Sequence, residues 1–456
     1  MYRMTGLVVA TLFMAISAPA QTTQASQPSA TTVPDARDLE LREMRARIER
    51  LETLVERLQK ERESTATGVA TASASNPTQP TTASAQPPES SRVSAAELHA
   101  GVDHHAGADE RIGGQVETHG AIEQRYPQLH FRGFGDIDFS ATDDPGSKSG
   151  FNLGQFILHV ASPLSQKVSV FGEISFSAST GFYNVDIERY LIRYDYNDHF
   201  KLSFGRYHTP INYWNTAFHH GLWLQTTISR PEMIRFGGRF QPVHFIGMLA
   251  EGNVPSGPLG LGYNVGLGNG RAGNIARPGD SGDVNNNRAW VANLFARPAA
   301  LNGLQIGGSL YGDLITSPGV SPGNPNFREL ISTAHVVWTK ESPEFLAEFA
   351  HVRHRNVLTE NVFNSNSAYV QIAYRLPGEG HKWKPYYRFE WSNISPSDPL
   401  FVGDNSVAVR PLTGSTFGVR YDITNLAAFK GEYRHITRKP NDPHVNGLFF
   451  QTSFTF

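Results

Sequence analysis

The sequence predicts an all-β transmembrane barrel of about sixteen antiparallel strands, preceded by a short α-helical coiled coil and a disordered linker. Three observations predict it. From residue 128 onward apolar and polar residues alternate with a period of two, so each segment has one greasy and one charged face. Short turns alternate with longer polar loops, the asymmetry of an outer-membrane barrel. Of 456 residues only 39% are hydrophobic, yet 42 are Gly, 28 Phe and 16 Tyr, a composition that suits strands hiding their hydrophobicity in alternation. No run of 18 or more apolar residues could span a bilayer as a helix.

Composition also narrows the function classes. The absence of Cys excludes disulfides, thiolate metal sites, a cysteine nucleophile and a lipid-modified N-terminal cysteine. With 40 Lys+Arg against 42 Asp+Glu, the net charge of -2 argues against a nucleic-acid partner, which needs a concentrated basic excess.

Residues 1–20 read as an export signal: Arg3 supplies the positive start, Gly6 to Ile16 the apolar stretch, and Ala18-Pro19-Ala20 the small-x-small cleavage pattern. The mature chain is then expected to begin at Gln21. In residues 38–63, Leu41, Met44, Ile48, Leu51, Val55 and Leu58 keep a 3-4 spacing, the seam of a coiled coil. Glu40 would face Arg45, and Arg47 would face Glu52, between parallel neighbours, while Leu54 widens the seam, so dimer and trimer both stay open. A single amphipathic helix is the alternative. Residues 64–127 are rich in Ser, Thr, Ala, Gln and Pro and read as a disordered periplasmic tether.

The barrel is expected over 128–456. Its clearest strands run through Leu129–Phe139, Ala368–Leu376, Trp383–Trp391 and Phe417–Ile423. Short turns are expected at Pro163–Gln166, Asn197-Asp198, Gln241-Pro242, Glu341–Pro343 and Thr424–Leu426. Longer loops fall around 140–150, 208–232, 313–327, 355–365, 393–413 and 438–445. About seventeen strand-like segments are visible, and an odd number cannot leave both barrel ends in the periplasm. The Gly-rich Leu259–Leu267 is taken as the surplus, making 253–287 one external loop. The chain ends in Phe456, with Phe454, Phe450 and Leu448 on the same face. This resembles the terminal signature by which outer-membrane barrels are recognised, and implies the barrel-assembly machinery as a partner.

Sixteen strands are wide enough for an aqueous channel, so passive diffusion of small hydrophilic solutes is the expected function. The stretch His208–Glu232 carries Ile211, Tyr213, Trp214, Phe218, Trp223 and Ile228, which a solvated loop does not need. It is read either as a constriction folded into the lumen or as a cap or oligomer contact. The run Phe204-Gly205-Arg206-Tyr207-His208-Thr209-Pro210-Ile211 resembles a segment of the phosphate-selective porin O and P group and related sixteen-stranded trimeric porins. That resemblance implies a homotrimer. A coiled coil before a barrel is similar to the sucrose porin, so a carbohydrate-selective porin is the alternative.

From 127 onward the chain holds 28 Lys+Arg and 26 Asp+Glu. Inward positions carry Arg132, Arg375, Lys384, Arg388, Arg420, Lys430 and Arg434 against Asp136, Asp138, Glu390, Asp422 and Glu432. The constriction candidates are Arg206, His219, His220, Arg230, Arg235 and Arg239, with Glu232 as their only nearby acid in sequence. A weak anion preference follows from field focusing, unless acids on neighbouring strands pair with these arginines. Trp214 and Trp223 could instead stack on sugar rings. No catalytic motif surrounds any of the 17 His, so no enzyme is expected, an outer-membrane enzyme and a cell-wall anchor being the rival classes. His219 and His220 on an extended loop would point apart, and no metal or cofactor site is expected.

Overall fold

A computed structural model describes residues 126–179, 181–235, 240–271, 275, 282–283, 285–316, 326–402, 409–438 and 444–456. The expected export signal and coiled coil, and all but the last residues of the linker, lie outside the described residues. The rest is a closed barrel of sixteen antiparallel strands, each hydrogen-bonded to its sequence neighbours, with the first paired to the last.

The strands are β1 (His130–Thr142), β2 (Gly150–Pro163), β3 (Val168–Ser179), β4 (Phe182–Asn197), β5 (Phe200–His208), β6 (His244–Asn253), β7 (Leu261–Asn269) and β8 (Ala289–Ala296). There follow β9 (Leu304–Thr316), β10 (Asn326–Trp338), β11 (Glu344–Asn356), β12 (Val362–Ala373), β13 (Trp383–Asn393), β14 (Leu412–Thr424), β15 (Ala427–Arg438) and β16 (His444–Thr455). Among the described residues, two one-turn α-helices sit in loops, α1 (Trp214–Ala217) and α2 (Pro399–Val402). Alternation explains the wall: Trp383, Phe389, Trp391, Phe417 and Phe450 are exposed on the outer face, while Lys384, Arg388, Arg420 and Lys430 are buried inside. An apolar outer face on a closed sheet that pairs every backbone group is what a bilayer requires of strands that cross it.

Closure uses the two ends of the domain. Phe134 pairs with Thr455 and Thr142 with Gly447, and the seam finishes with Gly133 N–H donating to the Phe456 carbonyl at 2.9 Å and Phe456 N–H returning the bond at 3.0 Å. Gly133 and Gly135 leave room for the rings of Phe456 and Phe454, which lie where a Cβ would stand. At the opposite rim the Asn446 amide and backbone N–H donate to Asp143, which holds that carboxyl below its usual range.

Two expectations about the connections are corrected. Leu261–Asn269 is not loop but a barrel strand, paired with β6 and β8 over its length; Gly268 sits where the Ile246 backbone approaches, and Gly262 and Gly266 leave room for the Phe295 and Val291 side chains, so high Gly content marked tight strand packing. Gln241-Pro242 is not a turn between strands, since β5 pairs directly with β6 and the two residues end a loop running from 209 to 243. A turn there implied a strand just before it, so the two misplacements offset each other and sixteen remains the count.

Wall height is uneven. β5 to β8 have 9, 10, 9 and 8 residues, whereas β13 has 11 and β4 has 16. β4 pairs with β3 up to Phe182 but with β5 only from Tyr190 onward. The chain therefore leaves the wall part-way up, at His208, and rejoins it at the same height, at His244.

Candidate functional site

The loop between β5 and β6 folds into the barrel. Its first limb starts with Asn212 in a left-handed conformation, φ 61°, whose N–H donates to Ser309 Oγ on β9 at 3.0 Å. The backbone N–H groups of Tyr213 and Trp214 then donate to one oxygen of Glu348 on β11, at 2.8 and 2.6 Å, and the single turn of α1 follows. Asn215 fastens the turn to the loop roots, donating to the carbonyls of Thr209 and Val243, each at 2.9 Å.

Apolar burial drives this limb. Ile211, Tyr213, Trp214, Phe218, Met233 and Ile234 join one buried cluster with wall residues such as Tyr311, Phe327, Ile331 and Tyr369. Each large side chain so removed from water contributes on the order of 1.5–3 kcal/mol. The inner wall of β9–β12 thus carries an apolar patch among its polar groups. A second loop, 394–411, covers the same region: Phe401 stacks on Phe240 at 5.7 Å and packs on His354 at 4.8 Å, and Asp398 meets His354 Nδ1 at 2.6 Å. His354 Nε2 in turn meets Glu329, which also pairs with Arg271.

The second limb is held by charge. At Gly221, φ 80°, a Cβ would press on the Phe134 ring of β1 at 3.0 Å, so the chain turns close against the wall. Lys430 on β15 donates to the carbonyls of Leu222 and Thr227, and Arg420 on β14 to those of Trp223 and Gln225. Arg388 on β13 donates to the carbonyls of Ser229 and Arg230 at 2.7 and 3.2 Å. Glu432 accepts from Ile228 N–H at 2.9 Å, Ser229 Oγ at 2.7 Å and Tyr386 Oη at 2.9 Å. Glu390 accepts from Glu232 N–H, and Glu344, at the foot of β11, accepts from Thr226 Oγ1. A buried backbone group without a partner costs about 1–3 kcal/mol; here wall side chains supply partners that water would give a surface loop.

The residues singled out as lumen-facing fall as follows. Arg375 meets Glu341 and Asp422, each at 2.6 Å. Lys384 meets Glu344 at 2.7 Å, Arg388 meets Glu390 at 2.8 Å, and Arg420 meets Asp422 at 2.7 Å. Arg434 pairs with Glu432 and lies over the Phe449 ring at 3.6 Å. Arg132 lies over Phe134 at 5.0 Å. Asp136 accepts from Gln155 N–H, and Asp138 from the Gln451 amide. Arginine pairing with carboxylates, the alternative weighed for the sequence, is thus widespread along β12–β15.

Of the constriction candidates, the structure brings Arg206, His219, His220 and Arg230 together. Glu232 is not the acid beside them: Arg206 faces Asp186 of β4 at 3.8 Å, His220 meets Glu188 of β4 at 3.2 Å, and Glu188 also acts on Arg230. Arg235 stands apart, 62% exposed and paired with Glu232 at 3.3 Å. Arg239 lies outside the described residues. Nor are Trp214 and Trp223 open to a sugar: they are 0% and 5% exposed. His219 and His220 do not point apart, because α1 and Gly221 coil the loop; their rings are 4.5 Å apart and edge to face.

Glu348, Glu344, Ser309 and Tyr386 were not singled out from the sequence. Glu348 left a signal: it is the one acid in Phe345-Leu346-Ala347-Glu348-Phe349-Ala350, and an isolated inward carboxylate in a strand calls for donors to meet it.

No family model matches the chain, and no curated protein matches it. Solved structures match in fold. An anion-selective porin from Comamonas acidovorans superposes with a TM-score of 0.53 at 11% identity, over 72% of this chain and 100% of that one. OmpF of Salmonella typhi in complex with daunomycin gives 0.51 at 11%, over 72% and 98%. The outer membrane channel DcaP of Acinetobacter baumannii gives 0.50 at 13%, over 72% and 97%. The shared feature is the closed antiparallel barrel fold.

Proposed function

We propose that this chain is a bacterial outer-membrane porin through which small hydrophilic solutes diffuse passively, its bore narrowed by loop 209–243. One observation carries the reading: an internal loop leaves the wall between two short strands and is bonded to β9, β11 and β13–β15 inside a barrel wide enough for water. A loop that served only as an outer cap would not reach Glu344 at the foot of β11. The similar structures, among them an anion-selective porin and an outer membrane channel, agree with it.

Anion preference in this reading is weak. Arg375, Lys384, Arg388, Arg420 and Arg434 each meet a carboxylate, and Lys430 faces loop carbonyls, so little uncompensated positive field remains for focusing. Phosphate specificity finds no support in such paired arginines. A homotrimer is the proposed assembly: the outer face of β4 presents Tyr183, Val185, Ile187, Tyr190 and Ile192, all exposed, over a stretch that β5 only partly flanks. In this proposal the coiled coil and linker hang in the periplasm.

The test is single-channel recording of the refolded chain in planar bilayers under a salt gradient. Stepwise conductance with a small anion-favouring reversal potential is expected. A verified folded barrel that conducts nothing overturns the reading and leaves an anchor or enzyme.

A further inference from the structure

We propose that His208, His219, His220 and His244 form a binding site for one divalent transition-metal ion of the Zn2+ class, which staples the lumen loop to its own roots. The four come from three places: His208 is the last residue of β5, His244 the first of β6, and His219 and His220 lie in the loop after α1. All four are buried, and one ring nitrogen from each lies within 4.8 Å of the others. The His208 and His219 rings stack at 3.8 Å, and His219 lies 4.7 Å from His244.

Such convergence is not the usual packing of histidine, which buries singly against hydrogen-bond partners. Imidazole is a ligand of choice for Zn2+, Cu2+ and Ni2+, and four nitrogens at Zn–N distances of about 2.0–2.1 Å satisfy a tetrahedral ion. That geometry sets the nitrogens about 3.4 Å apart, so metal binding would draw them together from separations of up to 4.8 Å and unstack His208 from His219. The outer contacts fit a ligand set. His219 Nδ1 lies 3.0 Å from Asn215 Oδ1, and His220 Nδ1 lies 3.3 Å from Gln155 Oε1. With Nδ1 protonated, each ring donates to its amide oxygen and turns Nε2 toward the cluster, the arrangement that orients metal-bound histidine. A carboxylate is also present: Glu188 Oε2 lies 3.2 Å from His220 Nε2 and 2.9 Å from His244 Nε2. In the metal-free site these nitrogens donate to that oxygen, and an ion would take the place of the proton they share with it.

The surrounding charge is balanced rather than prohibitive. Arg206 and Arg230 approach the rims of His244 and His219 at 3.2 and 3.4 Å. Against them stand Glu188, Asp186 beside Arg206, and Glu173, which is shared by Arg189, His159 and His208.

The experiment uses the full chain, without an affinity tag, refolded in detergent, stripped with EDTA and titrated with Zn2+ against a chromophoric chelator. One Zn2+ per folded chain is expected, and the double variant His219→Gln/His220→Gln weakens it by more than about a hundredfold. The double variant His435→Gln/His444→Gln, altering a stacked pair at the barrel rim, leaves the affinity unchanged. Absence of stoichiometric Zn2+ on the folded wild type, or its retention by the loop variant, overturns the site. Should the loop variant lack the heat-modifiable mobility of a folded barrel, Co2+ loaded into the unaltered chain decides. The intense visible bands of a four-coordinate nitrogen site support the proposal, and the faint spectrum of six-coordinate Co2+ overturns it.

Discussion

The low wall of β5–β8 and the tall wall of β9–β15 do different work with different residues. The low wall releases the loop. Its strands have 8–10 residues and carry Gly at close approaches: Gly205, at φ 143°, sits where a Cβ would enter the Tyr190 carbonyl. The tall wall receives the loop, first with an apolar patch around Tyr311, Phe327 and Tyr369, then with charged side chains from β13 to β15. The same alternation that makes a barrel thus supports two interiors, one like a protein core and one like an ionic lattice.

The largest expected break in this comparison removes the traffic between the walls. Replacing 212–240 by a short Gly-Ser link is expected to raise single-channel conductance severalfold while the barrel keeps its heat-modifiable gel mobility. An unchanged conductance would show that the loop does not lie in the solute path.

On the receiving side, Glu432→Ala strips Arg388 and Arg434 of a shared carboxylate and Ile228, Ser229 and Tyr386 of an acceptor. Breaking a buried pair costs about 3–5 kcal/mol, so the denaturant midpoint falls and protease cuts within the loop; Glu432→Gln, which keeps an acceptor oxygen, loses less. On the releasing side, Gly205→Val adds a side chain at a backbone conformation that costs about 1–3 kcal/mol and forces it onto β4. The folded fraction after refolding is expected to drop, with conductance per folded channel unchanged, separating the role of the roots from that of the tall wall. The smallest effect belongs to Arg235→Gln: an exposed pair with Glu232 is worth at most about 1 kcal/mol, and the reversal potential stays where it is.

What the sequence made legible follows from which face water or lipid tests. Outer residues such as Trp383, Phe389 and Phe417 must be apolar wherever they meet lipid, and their period of two betrayed the strands. The inner face of β9–β12 gives no such contrast. In Phe327–Trp338 both parities carry apolar residues, so nothing in the pattern says that a loop covers the inside. Loop 209–243 announced itself through its own Trp, Tyr and Ile residues, but its length was underestimated because Gln241-Pro242 reads locally as a turn. The acids beside the arginines were missed for a different reason. Asp186 and Glu188 are remote in sequence from Arg230 and adjacent only once the barrel rolls up, and the same long-range folding gathers the four histidines.

The last residue of the chain bonds to Gly133, more than three hundred positions away in sequence. Loop-closure entropy grows slowly with length, yet so distant a contact comes late in assembly, because nearer ones reward the chain sooner. Until that latch engages the barrel is an open, curled sheet, and its inner wall is reachable from the side. Loop 209–243 then has a side entry as well as the open mouth of the cylinder. It can lie down on β9–β15 while the gate between β1 and β16 stands open, and the closing of that gate makes a cargo of what had been a surface loop.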